Sequence, residues 1–290
     1  MLNKLKEKLR NEQKKKSKEI PIHKAELKGI NQHIDLPKQI NLENHIVEGV
    51  ETVYYVRDYL SSIAEETLLQ EITNSPKERW IELPFSRRRL QKWGGDVTNE
   101  GLINQEELPW YYNGISKEMF TSSVCSKEIN HILLNEYEPG VGIMPHSDGP
   151  LYHPYVCIIS LHSSCLFSFF ANYEEYKNGK YLCKLFVEPR SLLIFTDSCY
   201  SEYLHTINDD TCDSLNFILK DEQLVCPISN IFQTSIYFNE ESNIRKELSN
   251  SEQKNQIELS IPRNQRYSIT LRHVYPKSLS NGIYNDEETP

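Results

Sequence analysis

Pro145-His146-Ser147-Asp148-Gly149 holds a histidine and an aspartate two positions apart. In an extended chain side chains alternate, so such a pair projects to one side and can grip a single ion. A third ligand has to come from elsewhere. His205 lies 57 residues after Asp148, in Tyr203-Leu204-His205-Thr206-Ile207, which reads as a strand. Two imidazoles and one carboxylate on one face of an octahedron suit non-haem iron(II). The remaining positions then accept O2 and a bidentate α-keto acid. An HxD pair alone is common, and a lone histidine is more often packed or solvent-facing than a ligand. The metal reading therefore depends on further residues.

A second group stands near the C-terminus, in Arg266-Tyr267-Ser268-Ile269-Thr270-Leu271-Arg272. On a strand Arg266, Ser268, Thr270 and Arg272 share one face, and Tyr267, Ile269 and Leu271 take the other. An inward Arg-Ser-Thr-Arg row suits a buried dicarboxylate, because guanidinium offers a fixed fork of donors matched to carboxylate geometry. An edge strand with a polar outer face has the same alternation. With the HxD pair and a downstream histidine preceding it in order, the carboxylate-binding reading is the better account.

Bringing such distant residues together takes a fold that sets remote strands side by side. Residues 53–56 read as a strand, and Ser61 or Ser62 caps a helix carrying Ile63, Leu68, Leu69 and Ile72. Asn74-Ser75-Pro76 ends it. Strand-like runs follow at 132–137, 156–161, 166–170, 181–187, 192–195, 203–207, 215–219 and 267–274, with Pro and Gly between them. This spacing predicts a mainly β chain with flanking helices (α+β) on a jelly-roll core, not a parallel α/β sheet. The segment 239–258 has no aromatic residue and little to bury, and is expected to be a mobile polar insertion.

The 290 residues suit one β-rich domain, expected over 21–290 after a mobile basic tail at 1–20. No run approaches the ~20 apolar residues of a membrane span, and the N-terminus lacks the apolar stretch of a secretory signal. The expectation is an intracellular protein of the cytoplasm or nucleus with no membrane partner. Seven cysteines, odd in number and without a CxxC pair, read as reduced core thiols. The formal charge of −9 argues against coating nucleic acid through an overall field. Residues 1–20 nevertheless carry +5 and the remainder −14, so a local basic surface can still hold phosphate. No long apolar helix demands a partner, and a monomer is expected.

Asn135-Glu136-Tyr137-Glu138-Pro139-Gly140 resembles the NxYxPG strand that precedes the metal motif in the AlkB family of 2-oxoglutarate oxygenases. Gly142–Tyr152, Arg89–Gly95, Glu188–Leu193 and the late Arg–Arg strand are similar to one animal branch of that family. The likeness runs from about residue 80 to 220 and resumes over 263–274. It implies a double-stranded β-helix with His146, Asp148 and His205 as iron ligands. It also implies that Asn135 and Tyr137 contact 2-oxoglutarate, that Arg266 clamps its distal carboxylate, and that Arg272 lies near its keto-acid end. Fe(II), 2-oxoglutarate and O2 are the implied cofactor and co-substrates. Decarboxylation to succinate and CO2 would drive hydroxylation of a C–H bond, and an N-methyl group so hydroxylated leaves as formaldehyde.

A base lesion has to be reached in single-stranded DNA or RNA, or flipped from a duplex, and then held by stacking and polar contacts. Tyr152, just after the metal motif, is a candidate pocket wall. Trp93, beside Gly94-Gly95, is a candidate for a mobile lid, and Arg89 in Arg87-Arg88-Arg89 supplies positive charge. Each has a plainer alternative: Tyr152 as a structural cap, Trp93 as core, and the arginines paired with surface acids. Three other functions stay open beside nucleic-acid demethylation. They are hydroxylation of a protein or small molecule, a non-catalytic binding module on the same fold, and a cupin-type metal enzyme without a keto acid. The complete ligand set speaks against the second, and Asn135, Tyr137, Arg266 and Arg272 against the third.

Overall fold

A run such as Leu192-Leu193-Ile194-Phe195 is apolar on both sides, which suits a strand covered on both faces. A computed structural model describes residues 34–37, 39–220, 223–250 and 256–275, and this run lies at the centre of its largest sheet. The basic run at 1–20 lies outside the described residues.

From edge to edge the large sheet is β1 (Ile46–Val47), β2 (Val50–Val56), β12 (Leu192–Thr196), β9 (Tyr155–Leu161), β17 (Arg266–Arg272), β7 (His131–Tyr137), β4 (Arg88–Trp93) and β3 (Ile81–Leu83). A second sheet is ordered β11 (Cys183–Val187), β10 (Cys165–Phe170), β13 (Leu204–Ile207) and β8 (Ile143–His146). β14 (Cys212–Lys220) runs between β15 (Gln223–Val225) and β16 (Gln256–Pro262), and β5 (Asp96–Thr98) pairs with β6 (Gly101–Ile103). All these pairings are antiparallel. Remote strands become neighbours, β17 between β9 and β7 for example, which makes this a double-stranded β-helix.

Alternation along each strand sorts its side chains between two cores. Val156 and Ile158 of β9 meet Phe167, Phe169, Leu193 and Phe195 between the two sheets. Cys157, Ile159 and Leu161 point the other way, into a layer closed by helices α1 (Ser62–Asn74) and α2 (Trp110–Thr121). Ser61 Oγ accepts from the Ala64 N–H at 3.1 Å and starts α1 as expected, and the chain leaves it at Ser75-Pro76. α2 is not foreseen from the sequence. Its aromatic Trp110-Tyr111-Tyr112 start favours a strand and Gly114 a turn, but Tyr112, Ile115 and Met119 recur at helical spacing and are fully buried.

The segment expected to be a mobile insertion is largely ordered. Residues 239–250 lie in helix α3 (Ser235–Asn250), 256–258 open β16, and 251–255 are outside the described residues. Ile244 and Leu248, one turn apart, bury against Leu215, Phe217 and Leu259. Two apolar residues vanish in the average composition of a polar run, yet suffice to dock one helix face. The cysteines are unpaired, and Cys125, Cys157, Cys165, Cys183 and Cys199 are buried, whereas Cys212 is exposed.

Candidate metal centre

β8 and β13 pair with His146 opposite His205, and their rings lie 4.3 Å apart. Asp148, two residues on, projects to the same side, and one ligand atom from each of the three lies within 4.8 Å of the others. This close approach depends on Gly142. A Cβ there would sit 2.0 Å from the Ile207 carbonyl oxygen. Two further bonds lock the pair: Thr206 Oγ1 donates to Ile143 O at 2.6 Å, and Gly142 N–H to Asp209 Oδ1 at 2.7 Å.

The three side chains are electrostatically prepared for a cation. His146 Nδ1 lies 2.8 Å from the Met144 carbonyl, which can only accept, so Nδ1 holds the proton and Nε2 keeps its lone pair. The His205 ring stacks on Phe167 at 5.3 Å, with Phe169 and Phe195 beside it. Burial is the chief cause that lowers its pKa to about 3, against the pull of Asp148, so the ring is neutral at physiological pH. Burial pushes the Asp148 carboxyl up, but Arg272 first, and then His205, outweigh it and hold the group below its ordinary value.

The inward row of β17 adjoins this cluster. All seven residues of the strand are buried, with Tyr267, Ile269 and Leu271 in the helical core as the alternation requires. Arg272 Nη2 donates to Asp148 Oδ1, and its guanidinium lies 4.5 Å from the Tyr152 ring. Arg266 Nη2 donates to Ser160 Oγ at 2.7 Å, and its guanidinium lies 5.5 Å from the Tyr137 ring. Asn135 stands opposite Ser268 on β7. Buried polar atoms are ordinarily paired. Here Asp148 Oδ2, His205 Nδ1, Asn135 Oδ1, Arg266 Nε and Nη1, and Arg272 Nε are buried without a protein partner. A carboxylate oxygen beside two imidazoles fits a divalent metal, and the guanidinium donors fit a small acid.

A cleft of about 1030 Å³ has Asn135, His146, Asp148, Tyr152 and Arg272 in its wall, whereas His205, Tyr137 and Arg266 lie behind its lining. Tyr152 is thus at the site, its backbone clamped by Tyr200, whose Oη donates to Tyr152 O at 2.6 Å. Trp93 and Arg89 are not brought to the cleft. Trp93 is 8% exposed, bonds Gln91 Oε1 at 2.9 Å and stacks with Arg79, so it is core and not a lid. Gly94 packs too tightly against Asn130 for a hinge: a Cβ there would meet the carbonyl oxygen at 2.0 Å. Arg89 is bound by Glu136 through two nitrogens and lies over Trp80. Strand alternation sends it away from the cleft and sends Arg88 and Leu90 toward it.

Sequence reasoning missed Arg88, Leu133, Met144 and Ser160. Ser160 did leave a signal, as a lone hydroxyl at an inward position of the apolar run 156–161. Arg88 left one too: it lies within an arginine triplet and shares parity with Leu90.

Two imidazoles and a carboxylate at the mouth of a double-stranded β-helix are the architecture of non-haem iron oxygenases. No protein-family model matches the chain. A Danio rerio protein named "Probable RNA/DNA demethylase ALKBH6" is 35% identical over 253 residues, covering 84% of this chain and 95% of the relative. "Uncharacterized protein L905" of Acanthamoeba polyphaga mimivirus is 29% identical over 168 residues, covering 56% and 75%. Among solved structures, OsALKBH1 aligns with a TM-score of 0.42 and 12% identity over 77% of this chain and 98% of its own. A Pseudomonas putida prolyl-4-hydroxylase aligns with a TM-score of 0.42 and 11% identity over 81% and 95%. The extent of the zebrafish match decides the family: this chain belongs to the AlkB family of Fe(II)- and 2-oxoglutarate-dependent dioxygenases.

Proposed function

We propose that the chain demethylates alkylated nucleic acid, with His146, Asp148 and His205 holding Fe(II) and with Asn135, Tyr137, Arg266 and Arg272 holding 2-oxoglutarate. The observation that carries this reading is the group of buried, unpartnered polar atoms on Asp148, His205, Asn135, Arg266 and Arg272. Fe(II), 2-oxoglutarate and O2 together supply the oxidant that hydroxylates an N-methyl carbon, which then departs as formaldehyde.

The chain's own residues prepare that chemistry. Arg272 binds Asp148 Oδ1 and favours the ionised group, which leaves Oδ2 as the oxygen that would take the cation. The Met144 carbonyl orients His146, and the phenylalanines around His205 exclude water behind it. Ser160 holds the Arg266 guanidinium in place to donate to a carboxylate. Tyr152, Leu133 and Arg88 frame the opening through which a base would enter. The name of the zebrafish relative supports nucleic acid as the substrate class. One copy of the chain carries the whole candidate ligand set, so no second copy is needed to complete the site. Among the described residues no helix is long and apolar enough to cross a membrane.

A second reading, hydroxylation of a protein or small molecule, draws on Asp209 and Asp210, which put negative charge on the cleft wall. One assay separates the two. Protein with Fe(II), ascorbate and 2-oxoglutarate is given methylated oligonucleotides, and succinate and formaldehyde are measured. Equal release of both supports demethylation, and Arg266→Ala should abolish saturation by 2-oxoglutarate. Turnover that survives His205→Ala would refute the ligand assignment, and succinate release that methylated oligonucleotides neither raise nor accompany with formaldehyde would count against demethylation.

A further inference from the structure

The cleft continues onto a surface that the oxygenase chemistry does not use. Between β10 and β11 the chain forms a short helix, Tyr173–Lys177, and returns through Tyr181. Four aromatic rings stand in series here. Tyr173 lies 5.7 Å from Tyr176, Tyr176 5.2 Å from Phe170, and Phe170 5.0 Å from Tyr181. Phe170 is buried and forms the floor, whereas Tyr173 and Tyr181 are 49% and 44% exposed. Tyr176 lines the wall of the cleft that holds His146 and Asp148. The series is therefore continuous with the candidate site.

Lysines interleave with the rings. Lys177 Nζ lies 4.7 Å from the Tyr173 ring and Lys184 Nζ 4.2 Å from the Tyr181 ring. Lys180 binds Glu175 at 3.0 Å, and Glu174 is the other acid in the segment. The residues from 173 to 184 thus sum to +1 in a chain that sums to −9. Lysine stems often cover apolar surface merely to shield it. That account leaves unexplained why tyrosines at both ends stay half exposed and why the series enters the cleft. Each ammonium lies over a ring, and half-exposed rings beside ammonium groups are the chemistry of single-strand recognition, in which bases stack on aromatic faces and lysines meet phosphates. A protein segment would find little to pair with both features in register.

We propose that Tyr173, Lys177, Tyr181 and Lys184 form a platform for the nucleotides that flank the modified base, so that the substrate is a single strand several nucleotides long. The proposal rests on the nucleic-acid reading above and assigns it a strandedness and a direction out of the cleft. A free methylated nucleoside would reach the metal without touching the platform; a longer strand would gain affinity from it.

The test uses the full chain and fluorescein-labelled (dT)15 and (rU)15, with a 15-base-pair duplex as control, read by fluorescence anisotropy at several salt concentrations. Tyr173→Ala with Tyr181→Ala should weaken single-strand binding at least about tenfold. Lys177→Gln with Lys184→Gln should reduce the slope of log K on log salt by about 0.7 per lysine. These side chains lie at the surface, and circular dichroism plus unchanged uncoupled succinate release show that each variant is folded. Single strands bound equally by wild type and both variants, or a duplex bound as tightly as a single strand, overturn the platform. So does the lack of any single-strand binding by wild type. Formaldehyde release from a methylated trinucleotide, too short to span the platform, judges the demethylase reading separately. Release that is unchanged in the variants leaves that reading standing if the platform falls, and the absence of release in wild type from both the trinucleotide and a methylated 15-mer overturns that reading.

Discussion

Arg272 Nη2 donates to Asp148 Oδ1 at 2.6 Å, and the two side chains are only 6% and 5% exposed. This bond joins the last core strand to the loop after β8, and so couples the candidate acid-binding row to the candidate metal cluster. Removing one partner of a buried pair strands the other, at a cost of about 3–5 kcal/mol. Arg272→Gln should therefore lower the melting temperature. It should also weaken Mn(II) binding, on the order of tenfold or more, because Asp148 loses its orientation. Without the guanidinium the carboxyl pKa rises, so the loss should be larger at pH 5.5 than at pH 7.5. Calorimetric titration at both values checks this, and equal Mn(II) affinity in wild type and variant would sink the coupling.

Gly142 sets the spacing of β8 and β13. A Cβ there would lie 2.0 Å from Ile207 O and 2.7 Å from the Asn208 carbonyl carbon, both backbone atoms that cannot swing aside. Gly142→Ala must therefore push the strands apart beside the Ile143–Ile207 pair, in the same short ladder that sets His146 opposite His205. The expected result is a loss of about 1–3 kcal/mol of stability together with weaker Mn(II) binding. Weaker stability with unchanged metal affinity would show that the strand gap does not set the ligand geometry.

His131 gives the fold a pH dependence that is separable from the candidate metal ligands. It is buried, with its ring 5.9 Å from that of Tyr152. Burial is the main reason its pKa falls to about 4, with Arg272 and Lys92 adding to the effect and Asp96 opposing it. The folded ring stays neutral down to that value, whereas the unfolded ring takes up a proton near 6.5. Between the two values the unfolded state binds more protons, so stability is full above about pH 6.5 and drains away as pH falls. From pH 7 to pH 5 this one group accounts for about 2 kcal/mol. His131→Gln should remove that part of the slope in urea unfolding. An identical pH profile in the variant would contradict it.

The site was legible because its chemistry is written in local patterns. His146 and Asp148 are two apart and end on one side although Asp148 lies just past the end of β8, and the β17 row alternates because a strand preserves parity. Within β4 parity turns Arg88 toward the cleft and Arg89 away, while Arg87, just before the strand, also lines the cleft, and composition alone does not choose among the three. Trp93 misled for another reason, since Gly94 beside it serves close packing and not motion. Contacts that depend on pairing register, such as Phe167 against His205 or Ser160 with Arg266, have no local pattern to read. Helix α3 stayed hidden because its start is held from far away in the chain.

Glu188 supplies that start. Its Oε2 accepts from the Ser235 N–H at 2.8 Å and its Oε1 from the Ile236 N–H at 3.1 Å, while Tyr55 Oη donates to Oε2 at 3.1 Å. A carboxylate 47 residues upstream thereby satisfies amides that the first turn of α3 leaves free, and its charge complements the helix dipole. Farther along, the helix is held by Ile244 and Leu248 in the small core, by Tyr237 against Phe232 and by Phe238 against the Arg57 guanidinium. Glu188→Ala should leave buried N–H groups unsatisfied, at about 1–3 kcal/mol. Hydrogen exchange should then quicken first in the amides of α3, ahead of those in β9 and β17. Glu188→Gln, which keeps one acceptor, should lie between wild type and Glu188→Ala. Because α3 does not border the cleft, Mn(II) affinity should stay the same in both variants. Uniform acceleration of exchange through the core strands would mean instead that α3 and the double-stranded β-helix unfold as one unit, and that Glu188 secures the whole domain.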